Sequence, residues 1–503
     1  MAAVFPDAGL LSRIRFTILF PHLADRYSMQ SRYALYIAVL AVAAILAAGC
    51  TGAEGPGAAA SDPASTGAGD PYTPPEAITT TPELLEFVAH AAAYAREHGR
   101  EKAAVAFTDP NGTFVAGNTH VFAVEYGGTV VVDAAEPGIR GTDISNQTDP
   151  FGIRFAERFE ETARFGRGYV SYMYPNPANN GTFEHRIAVV EDVDGTYYVA
   201  AGLFASQGEV YPSVALNTSA GQPALEDLVA YVKSAVAYAR TNGKEKALAV
   251  FNDRTGPFVQ GELVMMAFDY NGTNLAAPPY SPELVKNRIN LINYYDPDGV
   301  YTIRGMRDFA TEGGGFFYTV VKVRANDTVV YVPKIDYAEP VDGDWWIFSG
   351  IVVPEYARIG PGNLTGIPVR DHTREEVYDL VNRAVAFAQA SGKEAALAEI
   401  NDPAGRFVNG DLFVWAESTD GTVLADPFWK EAIGRNCMND TDRNGMPITK
   451  VGIEAMQNAA GFSRALFPNT AANETAEVPK LIYMKAVDET WWIGGGIYGL
   501  EVE

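Results

Sequence analysis

A threefold internal repeat constrains this chain more than any other feature. Gly99-Arg-Glu-Lys-Ala, Gly243-Lys-Glu-Lys-Ala and Gly392-Lys-Glu-Ala-Ala are versions of one signature. Close behind each stands a second: Phe107-Thr-Asp-Pro-Asn-Gly-Thr-Phe-Val-Ala-Gly117, Phe251-Asn-Asp-Arg-Thr-Gly-Pro-Phe-Val-Gln-Gly261 and Ile400-Asn-Asp-Pro-Ala-Gly-Arg-Phe-Val-Asn-Gly410. The copies end alike, at Asp194-Gly-Thr-Tyr-Tyr-Val-Ala-Ala-Gly202, Asp342-Gly-Asp-Trp-Trp-Ile-Phe-Ser-Gly350 and Asp488-Glu-Thr-Trp-Trp-Ile-Gly-Gly-Gly496. The spacing, roughly 150 residues, is far above that of a solenoid unit and fits a whole domain. The chain therefore reads as one fold written three times, over 81–206, 222–356 and 372–503, after a leader (1–49) and a tether (50–80).

The second copy shows the order of elements. Leu225, Leu228, Val229, Val232, Val236 and Ala239 recur at helical spacing and predict an amphipathic helix that stops near Asn242-Gly243. Val377, Leu380, Val381 and Val385 repeat the pattern behind a capping box of Thr373 and Glu376, and Thr81-Pro82 serves as cap and first turn in the first copy. A loop from Gly243 to Gly261 precedes a strand pair, 263–270 and 273–277, joined at Asn271-Gly272. Ser281 to Ile292 reads as a capped helix. Gly315–Val323, Val329–Tyr337 and Asp344–Val353 alternate as strands. The prediction is an α+β module, a long helix packed on one antiparallel sheet.

The N-terminus places the array outside the cell. A short basic stretch, Met29-Gln-Ser-Arg32, an apolar run from Tyr33 to Ala48 and the small-residue site Leu46-Ala-Ala-Gly-Cys50 resemble a lipoprotein signal with Cys50 lipidated. Residues 51–80 are mostly Gly, Ala, Ser, Thr, Pro and Asp, which bury too little apolar surface to offset ordering entropy. Cys437 is then left without a disulfide partner. Asn-X-Ser/Thr acceptors at Asn111, Asn180, Asn271, Asn326 and Asn473 suit an exported surface. With 62 acidic against 38 basic residues, a net charge of −24 argues against nucleic acid as a partner.

The Gly-Lys-Glu-Lys-Ala helix end, the Asn-Asp-x-x-Gly-x-Phe-Val-x-Gly loop, the turn Asp296-Pro-Asp-Gly299, the strand Gly313-Gly-Gly-Phe-Phe-Tyr318 and the closing Asp-Trp-Trp-Ile-x-Ser-Gly resemble the single Cache domain, an extracytoplasmic sensor with a PAS-like sheet. The resemblance is fullest over 225–353, good over 374–498 and weaker over 84–204. In the first copy Tyr197-Tyr198 replace the paired tryptophans, and the glycine-rich strand entry shrinks to Gly166-Arg-Gly168. The third copy reads Ala459-Ala-Gly-Phe462 there. The resemblance implies recognition of a small molecule, often a short carboxylate, coupled to a membrane receptor or kinase.

For a ligand-binding set, the column sixteen residues before each closing glycine is basic in every copy: Arg186, Lys334 and Lys480. A cation on a sheet face suits an anionic metabolite. Phe268, Tyr318, Tyr337 and Trp346 in the second copy, with Trp415 and Tyr483 in the third, are candidate pocket walls. Arg100, Lys244 and Lys393 also coincide, and a helix-dipole contact accounts for them.

The six histidines occupy unmatched positions, no acid–base dyad or metal triad recurs, and the reading is of a protein that is not an enzyme and needs no cofactor. Asp440-Thr-Asp442-Arg-Asn444-Gly445 opens like a calcium loop, but Val451 stands where a bidentate Glu is required, so it reads as a polar turn. Two function classes follow. One is a lipid-anchored sensor on the outer face of the cytoplasmic membrane that binds a small carboxylate or related metabolite for a membrane partner. The other is a structural or adhesive envelope protein built of degenerate modules.

Overall fold

The computed structural model describes residues 72–209, 223–261, 263–277, 282–325, 328–353, 356, 368–456 and 460–502. The expected leader, Cys50, the tether up to residue 71, Asn326 and most of both joins between copies lie outside them.

Each repeat starts with the predicted long helix, at Thr81–His98, Leu225–Asn242 and Arg374–Ser391. The third carries its capping box on Thr373 and Glu376. In the first repeat the cap is Thr80, one residue earlier than expected, because Glu83 is then correctly placed to accept from the Thr80 backbone N–H. Gly99, Gly243 and Gly392 follow with φ of 79°, 83° and 84°, a region that L side chains rarely adopt. The chain then enters a second, short helix at Arg100–Phe107, Lys244–Phe251 and Lys393–Ile400, where a loop was expected.

This second helix corrects the dipole account of its first residue. A cation at a helix N-terminus gains nothing from the dipole. Instead Arg100 lies over the Tyr197 ring (5.4 Å), Lys244 over Trp345 (5.6 Å) and Lys393 over Trp491 (5.1 Å). The glycine-basic signature and the first closing aromatic are thus two halves of one cation–π contact. The aspartates opening the last two closing signatures fix the same rings: Trp345 Nε1 donates to Asp342 Oδ2 (3.1 Å) and Trp491 Nε1 to Asp488 Oδ2 (3.0 Å).

The remaining strands of each repeat form an antiparallel sheet, giving the expected α+β fold. In the third the order is Val423–Ala425, Leu412–Ser418, Trp491–Tyr498, Glu477–Asp488, Ala460–Pro468. The other two follow the same order, and each also has a helix between its strand pair and its last three strands: Phe155–Arg164, Thr302–Thr311 and Ile448–Ala455. Val377, Val381, Ala384 and Val385 of the long helix are buried on one sheet face. Gly495 lets the helix approach, since a Cβ there would lie 2.9 Å from the Val381 side chain.

The repeats interlock. Ser281–Ile292 is not one helix: Pro282–Lys286 is helical, while Asn290–Asn293 is a strand that joins the first repeat's sheet, parallel to Arg167–Asn176. Asn293 Nδ2 there donates to Glu161 Oε2 (3.0 Å) and Thr162 Oγ1 (3.1 Å). Ser171, Tyr318 and Arg464 hold one register position on the equivalent strands Arg167–Asn176, Gly315–Ala325 and Ala460–Pro468, opposite Ile187, Ile335 and Leu481. Each meets a loop of another repeat. Ser171 Oγ donates to Tyr295 O (3.2 Å), Tyr318 Oη accepts from Asn444 Nδ2 (2.7 Å), and Arg464 binds Asp296 and Asp298. The first repeat closes the ring with Phe151, whose ring lies 4.9 Å from Tyr378 and 5.7 Å from Phe462.

Candidate functional site

Side chains alternate across a strand, so each sheet has a face under the long helix and a face turned away from it. Register puts Arg186 opposite Phe204, Lys334 opposite Val352 and Lys480 opposite Tyr498. The basic column is therefore one structural position, on the face away from the helix. Tyr337 and Tyr483 stand three residues beyond their lysines and fall on the other face. Tyr483 packs on Tyr378 of the long helix (5.1 Å) and Tyr337 on Phe316 (5.0 Å). Tyr318 shares that face at the joint with Asn444. These three expected pocket residues belong to core and inter-repeat packing.

Phe268 and Trp346 do share the face of Lys334, but they stack on each other at 5.4 Å, fully buried, with Trp346 Nε1 donating to Asp269 O (3.2 Å). Lys334 is paired with a neighbour, its Nζ donating to Asp336 Oδ1 at 2.5 Å. The second repeat's face is filled from within.

The first repeat is open. A cavity of about 450 Å³ is lined by Arg186, Tyr174, Phe204, His120, Asp133 and Asn176 among others. Arg186 is 6% exposed, with its guanidinium carbon 4.9 Å from the Phe204 ring centre and 5.4 Å from that of Tyr174. Its Nη2 makes a long hydrogen bond to Gly202 O (3.5 Å), and its buried Nε has no hydrogen-bond partner among the described residues. His120 Nε2 lies 3.2 Å from Asp133 Oδ1. Below the cavity the helix Phe155–Arg164 covers the same face, packing Phe155 and Phe159 on Tyr172. The site thus offers a buried guanidinium between two rings, beside two carboxylates, Asp133 and Glu136, and an imidazole.

The third repeat carries the same plan in a tighter form. Lys480, 3% exposed, is surrounded by the rings of Tyr498 (4.4 Å), Trp415 (4.8 Å), Phe413 (5.0 Å) and Phe467 (5.1 Å). Its Nζ donates to Tyr498 Oη at 2.8 Å, and that hydroxyl donates onward to Pro468 O. Burial pushes the Lys480 amine down to about 7, against the pull of Asp426 and Asp411; the four ring faces favour the ammonium form. Burial likewise raises the Glu417 carboxyl to about 7, although Trp415 Nε1 donates to it at 3.0 Å. The cavity left beside them is only about 60 Å³.

Register shows which residues the basic column alone did not reveal. Asp133 ends the strand beside the shared β-bulge and Asp426 directly follows its counterpart, where the second repeat has Ala277. Tyr174 and Phe467 correspond to Val321, and Phe204 and Tyr498 to Val352. A visible signal existed, since the residue two beyond the closing glycine is aromatic in the first and third copies only. Asp442 gives both oxygens to backbone amides, accepting from Asn444 N, Met446 N and Leu466 N, as Asp149 does from Phe151, Ile153 and Met173. No group of His, Cys, Asp or Glu among the described residues is arranged to hold a metal ion.

Among solved structures, the chain is similar to a methyl-accepting chemotaxis protein from Vibrio parahaemolyticus RIMD 2210633, with 24% identity over 25% of this chain and 87% of that one and a TM-score of 0.22. A Cache chemosensory domain described in a study of carboxylic acid recognition matches with 16% identity over 25% of this chain and 86% of that one, TM-score 0.21. The ligand-binding domain of a Pseudomonas aeruginosa PAO1 amino acid chemoreceptor in complex with L-Arg matches with 13% identity over 55% and 87%, TM-score 0.16. No curated protein matches the chain. The model of Single Cache domain 2 matches residues 80–203 and 375–503, which are the two repeats with a base, an acid and aromatic rings on the open face. The second repeat, whose residues carried the resemblance most fully, lies between the matched regions. With half of its length covered by that model, the chain belongs to the single Cache domain 2 family of extracytoplasmic, ligand-binding sensor domains.

Proposed function

We propose that the protein is an exported sensor of three Cache-like modules (81–206, 222–356 and 372–503), anchored by lipid at Cys50, that captures a small carboxylate and presents it to a membrane receptor or kinase. The observation that carries this reading is Arg186, a buried guanidinium whose Nε has no partner among the described residues, beside a cavity of about 450 Å³. A guanidinium in a water-poor, ring-walled pocket recognises a carboxylate by charge and by paired N–H donors. Tyr174 and Phe204 supply apolar contact for a short carbon chain, while Asp133 and His120 suit a polar group at its far end. Lys480, with Trp415, is the corresponding base of the third module. No helix among the described residues is long and apolar enough to cross a membrane, which is compatible with attachment through an N-terminal lipid.

Calorimetric titration of the purified protein with short carboxylates, amino acids and amines tests the reading. Saturable binding of a carboxylate, reduced in Arg186→Gln and abolished in Arg186→Gln/Lys480→Met, is expected; a chain that binds none of them refutes it. The structural or adhesive reading draws on the filled face of the second repeat, and it predicts no ligand response.

A further inference from the structure

Two residues beyond the basic column, on the same face, stand Ala188, Asp336 and Ile482. Only the second repeat places an acid there. Asp336 is fully buried, accepting from Lys334 Nζ at 2.5 Å through Oδ1 and from Thr319 Oγ1 at 2.6 Å through Oδ2. The closing glycines show what has been exchanged. A Cβ on Gly202 would lie 2.4 Å from Arg186 Nε, and one on Gly496 would lie 2.4 Å from Lys480 Cε. A Cβ on Gly350 would instead lie 2.0 Å from Asp336 Oδ1. The base lies across the glycine in the first and third repeats; in the second the carboxylate takes that place. The Lys334 side chain is displaced outward, 18% exposed against a fully buried partner. The walls have changed as well, with Val321, Val352 and Ala277 where the other repeats carry rings and an acid.

We propose that the second repeat contains a carboxylate subsite, built from Lys334 and Thr319, that its own Asp336 permanently fills. The chain then has two repeats whose base faces a cavity, wide in the first and narrow in the third, and one that carries a tethered substitute for a ligand. This rests on the reading of Arg186 and Lys480 as anion holders, and it explains why a basic residue persists at 334 without an aromatic wall. A buried carboxylate needs a counter-charge, and the half-buried Lys334 two positions along the same strand supplies one at fixed geometry.

Excising the carboxylate tests it. Asp336→Ala in the full chain removes little more than the group that formate replaces, leaving Lys334 and Thr319 around a space of that size. Formate and acetate are titrated against sodium chloride at matched ionic strength while the thermal midpoint is followed, with Lys334→Met/Asp336→Ala as the control. The single variant is expected to melt below wild type and to show a saturable rise of about 2 °C at formate tenfold above half-saturation. The double variant is expected to show none. Equal responses of the two variants overturn the proposal. If Asp336→Ala does not fold, refolding it and the milder Asp336→Ser in formate asks the same question; recovery in formate but not in chloride supports the subsite, and recovery in neither overturns it. A wild-type chain deaf to every carboxylate, beside a formate-responsive Asp336→Ala, would overturn the functional reading and leave the self-filled subsite standing.

Discussion

Arg464 of the third repeat reaches Asp298 of the second through two nitrogens, Nη2 at 2.6 Å and Nε at 3.0 Å from the same Oδ2, while its Nη1 lies 2.5 Å from Asp296 Oδ2. Arg370 completes the cluster with a bidentate pair to Asp298, at 2.7 and 3.0 Å. Burial works against ionising Asp298, yet the guanidinium groups of Arg370 and Arg464 hold its carboxyl well below the usual range. Removing Arg464 leaves Asp296 buried without its guanidinium and Asp298 with Arg370 alone. Arg464→Met is expected to cost about 3–5 kcal/mol in denaturant unfolding. Adding Asp296→Asn and Asp298→Asn should recover part of that loss. A single-variant cost within error of zero would mean that the joint adds nothing to stability.

The added strand Asn290–Asn293 makes a separate prediction. Asn293→Ala removes donors to Glu161 and Thr162 in a buried setting, with an expected loss of about 1–3 kcal/mol. Hydrogen exchange should then quicken along Arg167–Asn176, the strand it pairs with. Unchanged protection there would show that backbone pairing alone holds the two sheets together.

Glu417 gives the third repeat a stability signature in pH. Burial raises its folded carboxyl from the ordinary 4.5 to about 7. The native state therefore holds more protons than the unfolded chain between those values. Its contribution is whole below pH 4.5 and is lost as pH climbs through 7, with a slope of up to about 1.4 kcal/mol per pH unit. Glu417→Gln should flatten the wild-type decline across that window. Parallel melting curves for the two proteins would rule out a buried, protonated Glu417.

Ligand binding should divide by pH as well. A guanidinium carries its charge throughout the neutral range, whereas the Lys480 amine is pushed by burial to about 7. In Lys480→Met, which isolates the first repeat, carboxylate affinity is expected to hold between pH 6 and 8.5. In Arg186→Gln, affinity should fall up to about tenfold per unit above pH 7 as the amine loses its proton. Calorimetric titration reads both, and a pH-independent Arg186→Gln would exclude Lys480 as the anion holder.

Much of the architecture was legible in the residues. Leu228, Val232 and Val236 marked one helix and Val377, Leu380 and Val381 another, because burying a helical stripe demands that spacing. The basic column was legible as well, through its fixed distance from a closing glycine. Its neighbours were harder to place. Tyr337 and Tyr483 looked like pocket walls, although an odd separation from Lys334 and Lys480 puts them on the opposite face. Asn290–Asn293 could not be recognised as a strand, since its partner lies more than a hundred residues earlier and in another repeat.

Local chemistry written along the chain therefore determined the module: where helices begin and end, which turns need glycine, and that a cation recurs on one strand. Tertiary structure alone decided what each cation does. Arg186 meets a cavity, Lys480 a ring of aromatics and Lys334 an aspartate, because the environment of a side chain is set by strands that meet it only after folding.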